Sequence, residues 1–299
     1  MSLTSAMVRK MFKRGDDARD AGLTTPEDVE RFDDIVYGTD PAWQKLDVYR
    51  PKASAGETLP VILSIHGGGW VYGDKELYQF YCMSLAQRGF AVVNYTYRLA
   101  PDFKYPAQME DTNLVASWVM ENADRYGLDA GRIFAVGDSA GGHMLALYAA
   151  VCTNPDYAKE YDFRVPEGFV LRAVGLNCGV YQLDVKQTQD YLTHSLMKDL
   201  LSEKVTNEAL HRISPVYFVT EAFPPTFLMT ASGDFLKAQV PVMEEQLKTK
   251  GVPYESLMYG DDQEELGHVF HLDVKSDRAA QCNDAECEFF RRYAGVREE

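Results

Sequence analysis

Long apolar runs are missing from this chain. No stretch approaches the roughly 20 residues that a membrane-crossing helix needs. Cysteine is scarce and poorly arranged for metal or disulfide work. The five residues, Cys82, Cys152, Cys178, Cys282 and Cys287, are odd in number and show no paired metal-ligand spacing. They read as reduced, packed thiols of a cytoplasmic protein. Cys282 and Cys287 stand five apart on an expected helix, off a common face, so no bridge is expected between them. Positive charge is in deficit as well: 30 Lys and Arg face 45 Asp and Glu, for a formal net charge of -15. That balance repels phosphate backbones and anionic membrane surfaces and makes nucleic acid and membranes unexpected partners. Internal repeats, low-complexity tracts and an apolar signal core are absent too. The opening MSLTSAMVRKMFKRGDD is basic and amphipathic, and reads as a surface helix rather than an export signal.

What is present is an ordinary globular composition, 46% hydrophobic and 25% charged over 299 residues. At that length an α/β chain commonly forms one domain with one core, here taken as residues 1–299. β-branched apolar runs predict strands at 34–38, 46–50, 61–65, 91–95, 132–136, 171–177, 226–231 and 254–259. Helical periodicity predicts helices at 76–88, 107–126, 140–152, 239–250 and 277–293. Two opening strands followed by strand-helix units describe a mostly parallel sheet with helices on both faces. Two regions break the alternation: a helical segment from the start to about Phe32, and a helical-looking insertion from about Gly179 to Phe223. Insertions of this kind sit above the carboxyl ends of sheet strands, where open α/β sheets bind ligands, so both are expected to cap a site.

The stretch RIFAVGDSAGGHMLALYAA, Arg132 to Ala150, reads as strand, tight turn and helix. Its Gly137-Asp138-Ser139-Ala140-Gly141 fits the G-x-S-x-G nucleophile elbow in the context that gives the pattern meaning. Glycines at 137 and 141 clear the turn, which holds Ser139 at a helix N-terminus where developing negative charge is favoured. The trypsin-like GDSGG is the rival reading, but there the histidine precedes the serine within β-barrels, whereas helices dominate here. A second stretch, VILSIHGGGW, places three glycines directly after a strand, against the ordering cost that glycine carries. Bare backbone there leaves N–H groups open to a substrate oxygen, which makes Gly68 and Gly69, with Ala140, the expected oxyanion donors. His66 is expected to brace this loop rather than act as a base.

HGGGW, YRLAPDFKYPAQMED and GDSAGG together resemble the hormone-sensitive-lipase-like family of α/β-hydrolase esterases, which includes bacterial acetyl esterases. The similarity runs from about Asp34 onward and implies the α/β-hydrolase fold with a small helical cap. It also implies that Arg98 and Asp111 belong to a structural loop below the site. The triad order of this fold is Ser, acid, His. SGDFLK puts Asp234 just past a strand end, where the family's acid sits. The family often has Pro next and a second Asp four positions after the first, whereas Phe235 and Ala238 stand there in this chain. His268, in Gly-His-Val-Phe, resembles the family's Gly-His-Gly-Phe and is the expected base, with His271 the competitor. His143 is expected to be packed; His194 and His211 fall in the cap. Trp70 and Tyr72 are expected to crowd the substrate pocket, packing under the cap being the other reading.

The implied activity is that of a serine carboxylesterase acting on small esters, acetyl to about hexanoyl, with no metal or organic cofactor. The alternatives are a carbohydrate deacetylase or an amidase or peptidase on the same fold. A non-catalytic small-molecule binder is the rival outside the enzyme class, and the presence of Ser139, Asp234 and His268 together argues against it.

Overall fold

The computed structural model describes residues 2–186, 188 and 191–295. Eight strands form one sheet: β1 (Val29–Val36), β2 (Lys45–Pro51), β3 (Leu59–Ile65), β4 (Ala91–Tyr95), β5 (Leu128–Asp138), β6 (Leu171–Asn177), β7 (Thr226–Ala231) and β8 (Tyr254–Tyr259). Their order is β1-β2-β4-β3-β5-β6-β7-β8. β2 pairs antiparallel with β1 and β4, and every other pairing is parallel. The central strands are apolar on both faces, as VILSI and AVVNY require, because helices cover the sheet on either side.

The helices are α1 (Leu3–Asp20), α2 (Lys75–Gln87), α3 (Ala107–Tyr126), α4 (Ala140–Thr153), α5 (Pro155–Ala158), α6 (Tyr191–Leu200), α7 (Asn207–Arg212), α8 (Gln239–Thr249) and α9 (Asp277–Ala294). α4 is apolar all round and is buried from Ala140 to Val151, the pattern of a helix enclosed by protein. The Asp74 side chain caps α2 by accepting from Leu77 N–H at 3.1 Å. α3 stops at Gly127, whose φ of 60° is open to glycine at little steric cost.

Register places the functional loops. Ile65 at the end of β3 pairs with Gly137 of β5, and Asp138 pairs with Asn177 of β6. The glycine loop and the elbow therefore leave adjacent strands side by side. Farther along the sheet, Ala231 pairs with Tyr259, and a parallel bridge between Gly233 and Gly267 continues that alignment past the strand ends. Asp234 and His268 are the next residues on each side.

Two expectations need correction. The first strand is not 34–38 but Val29–Val36, and the helical segment expected to reach Phe32 ends at Asp20. The register of β1 shifts between Phe32 and Ile35, with Asp34 at a φ of 57°. Such a bulge breaks the period-2 alternation, and it falls where two acidic residues hide a strand. The insertion is also less continuous than its periodicity suggested: residues 181–186 are irregular and the helical part is split into α6 and α7. Gln187, Gln189 and Asp190 of that insertion lie outside the described residues.

α1 and α6 together roof the carboxyl ends of the strands. Arg9 Nε donates to Val71 O at 2.6 Å and Ser195 Oγ to Thr4 Oγ1 at 2.8 Å, while the Ser2 and Ser5 hydroxyls both donate to the Asp199 carboxylate. Arg98 and Asp111 pair at 2.9 Å, with Gln44 also donating to Asp111. They brace loops and neither lines the cleft described next.

Candidate active site

Ser139 sits between β5 and α4 with φ 51° and ψ -118°, a conformation that a non-glycine residue adopts only where its surroundings enforce it. The elbow glycines show the enforcement. A Cβ at 137 would fall 2.6 Å from Gly141 O, and one at 141 would fall 2.0 Å from Ile65 O. The turn is fastened by Ser139 N–H to Asn177 O at 2.9 Å and by His143 N–H to Ser139 O at 3.0 Å. Ala140 opens α4, so its N–H has no partner within the helix.

The glycine loop faces this turn. Gly68 has φ 114°, and a Cβ there would lie 2.1 Å from Tyr72 O. Its carbonyl accepts from the N–H groups of Val71 and Tyr72, which folds the loop back on itself, while the Gly68 and Gly69 N–H groups donate to nothing among the described residues. His66 lies behind, fully buried. It donates from Nδ1 to Gly67 O at 2.7 Å and stacks on Tyr97 with centroids 3.9 Å apart. Burial holds its pKa down at about 4, so it is a neutral brace.

Asp234 and His268 meet at 2.7 Å, Oδ1 to Nδ1. The carboxylate also accepts from Leu236 N–H at 2.9 Å and Thr230 Oγ1 at 2.8 Å. Burial pushes its pKa up, but the His268 contact and these donors outweigh burial and hold it below the usual carboxylate range. His271 is elsewhere: fully buried against Tyr81 with centroids 5.2 Å apart, neither ring nitrogen hydrogen-bonded, and held by burial at a pKa of about 3. The structure thus brings His268, and not His271, to Asp234.

Ser139, Ala140, Gly68, Gly69 and His268 line one cleft of about 500 Å³, roofed by Val8, Met11 and Phe12 of α1 and by Leu192 and Leu196 of α6. Trp70 and Tyr72 line it too, but both are tethered. Trp70 Nε1 donates to His143 Nδ1 at 3.1 Å, and His143 Nε2 donates to Ile213 O. The Tyr72 hydroxyl donates to Asp16 of α1 at 2.9 Å, and its ring meets Phe12 edge-on.

Three features of the site went unnoticed in the sequence. The Tyr78 hydroxyl accepts from Gly67 N–H and donates to Asp138 Oδ2, each at 2.8 Å. Burial, opposed by that hydrogen bond, pushes the Asp138 pKa up to about 7. Glu286 of α9, also raised by burial to about 7, accepts from Asn177 Nδ2 and the Tyr81 hydroxyl behind the elbow. Asp138 was visible inside GDSAGG, whereas nothing local marks Glu286. The third is Cys178, whose thiol lies with Asp234 and His268 so that one ligand atom of each falls within 4.8 Å of the others. Burial keeps that thiol protonated, and the Asp234 carboxylate and His268 imidazole already bond to each other.

The BD-FAE family model matches residues 46–247, more than half of the chain. The chain belongs to the BD-FAE family. Esterase LipC of Mycobacterium tuberculosis is 31% identical over 67% of this chain and 50% of its own length. The versiconal hemiacetal acetate esterase of Dothistroma septosporum is 32% identical over 70% and 66%. The chain spans about half to two thirds of the length of these curated relatives. Esterase B from Lactobacillus rhamnosis, solved with a C6-C4 SN3 inhibitor, superimposes with a TM-score of 0.88 at 25% identity, covering 98% of this chain and 97% of that one. The same esterase, solved inhibited with a C4-C4 tributyrin phosphonate, gives 0.87 at 26%, covering 97% and 95%. This BD-FAE member has the α/β-hydrolase fold, and its relatives bear out the likeness to hormone-sensitive-lipase-like esterases.

Proposed function

We propose that this protein is a serine carboxylesterase for short acyl esters, acetyl to about hexanoyl. The observation that carries the reading is the strained Ser139 elbow opening into the same cleft as His268, whose Nδ1 lies 2.7 Å from Asp234. Ser139 Oγ attacks the ester carbonyl and His268 takes its proton, with Asp234 holding the imidazole in orientation. The N–H groups of Gly68, Gly69 and Ala140 receive the oxyanion, each worth about 3 kcal/mol in the transition state. His268 then returns the proton to the departing alcohol, and water activated by the same imidazole releases the acid. No metal or organic cofactor enters this scheme.

The acyl preference is supported by the tethering of Trp70 and Tyr72 in the cleft wall and by the tributyrin phosphonate that inhibits Esterase B. The apolar roof from α1 and α6 offers few partners to sugar hydroxyls, which favours simple esters over a carbohydrate deacetylase. No helix among the described residues is long and apolar enough to cross a membrane, and five unbridged cysteines suit a reducing, cytoplasmic setting. The test is kcat/KM for p-nitrophenyl esters from acetyl through palmitoyl. A maximum at or below hexanoyl is expected, and a maximum at decanoyl or longer would overturn the acyl preference.

A further inference from the structure

Phe235 follows Asp234 directly and is the most exposed of the large apolar side chains lining the cleft, at 73%. Its ring nonetheless lies against the His268 imidazole, with centroids 4.3 Å apart and planes tilted by 44°. The backbone around it is pinned, because Asp234 Oδ1 accepts from Leu236 N–H at 2.9 Å and Asp234 O from Lys237 N–H at 3.2 Å. The ring therefore stands at the tip of a short turn hooked onto the triad acid. It also forms the partition between the apolar cleft and a second, more polar hollow bounded by Ser232, Lys237 and Asp261.

The chemistry of acyl transfer says what such a ring would touch. The acyl carbon bonds to Ser139 and its oxygen turns to the glycine loop, so the departing alcohol oxygen must lie within reach of the imidazole that protonates it. Whatever that oxygen carries extends past the wall beside His268. We propose that Phe235 is the alcohol-side wall of the active site and selects esters of apolar, above all aromatic, alcohols. This rests on the Ser139–Asp234–His268 reading and adds the class of leaving group to it. An open aromatic face gains most when another ring covers it and little from a methyl group.

The two half-reactions separate this role from simple support of His268. In acylation the ester C–O bond breaks as the Ser139 O–C bond forms, and the serine proton passes through His268 to the alcohol. In deacylation water attacks an acetyl-enzyme that is the same whichever alcohol has left. An alcohol-side wall acts on acylation and its reversal alone.

The experiment compares wild type with Phe235→Ala and Phe235→Leu on benzyl acetate and ethyl acetate, whose alcohols differ in apolar surface. The ratio of kcat/KM, benzyl over ethyl, should fall about tenfold in Phe235→Ala and less in Phe235→Leu, within the range that small changes in an apolar subsite produce. In parallel, acetyl-enzyme formed from p-nitrophenyl acetate is offered benzyl alcohol in competition with water. The fraction captured as benzyl acetate should drop in Phe235→Ala. Equal losses on both acetates, or a slowed deacylation with unchanged partitioning, would overturn the proposal and leave Phe235 as a prop for the imidazole. Failure of the wild type to hydrolyse either acetate would instead overturn the esterase reading, and this inference with it.

Discussion

Replacing Tyr78 by phenylalanine should show how far the glycine loop depends on its tie to the elbow. The hydroxyl bridges Gly67 N–H and Asp138 Oδ2, both at 2.8 Å and both buried, and Tyr78→Phe keeps the ring while stranding the two groups. A buried polar group left unsatisfied costs about 1–3 kcal/mol. Asp138 has an escape, since burial already raises its pKa to about 7; losing the one hydrogen bond that opposes burial lets it take up a proton. The Gly67 N–H has no such escape. The net loss of stability should therefore be nearer one group than two, about 2–3 kcal/mol. Part of the effect should reach catalysis, because Gly67 immediately precedes Gly68. If the loosened loop forfeits about half of one donor's roughly 3 kcal/mol, kcat falls about tenfold. KM should move less, because the oxyanion exists only in the transition state. Urea unfolding gives the first quantity, and kcat and KM on p-nitrophenyl acetate give the others. A variant with wild-type stability and wild-type kcat would refute the reasoning; a change confined to KM would show that the tie does not act on the transition state.

Ser139→Ala and His268→Ala should each lower turnover by several orders of magnitude with the fold intact by circular dichroism, since members of a triad act as a unit. His271→Ala should retain most of its turnover per folded molecule but melt earlier, because it empties a buried site against Tyr81; the opposite pattern between the two histidines would move the base to His271. Stability should also depend on pH in a definite direction. Burial depresses His66 and His143 to about 4 and His271 to about 3, so their contribution is present above 6.5 and is lost as pH falls through those values. Asp138 and Glu286 are raised to about 7, so their contribution is present at low pH and is lost as pH rises through about 7. Between about pH 4.5 and 5.5 these three histidines outweigh these two carboxyls by about one proton, so stability should climb there by about 1.4 kcal/mol per pH unit, level off near pH 6.5 and dip slightly toward pH 7. Glu286→Gln should steepen the climb; denaturant midpoints measured across pH would expose a flat or falling profile.

Much of the fold was legible because its signals are short in range. β-branched runs mark the strands from β2 to β8, and only β1 was misplaced, where a bulge and the acidic pair Asp33 and Asp34 break the alternation. The elbow was legible for the same reason: Gly137 and Gly141 are needed by backbone atoms that the turn itself brings together, and by the neighbouring strand at Ile65. Steric demands of that kind are written at fixed spacing in the chain. Other parts of the site have no such local cause. Asp234 and His268 stand 34 positions apart and meet because the parallel register of β7 and β8 runs on through the Gly233–Gly267 bridge. His271 has the same side chain three residues later, and only packing turns it toward Tyr81 and away from the acid. Tyr78 and Glu286 belong to this second kind, since each reaches the site from a distant element whose approach is set by how helices settle on the sheet, whereas the α1 roof was expected from a helical segment standing outside the strand-helix alternation. Residue identity along the chain determined the backbone shapes this protein can make. The stacking of strands and helices decided which side chains those shapes deliver to one another, because contact between distant segments is a property of the packed core.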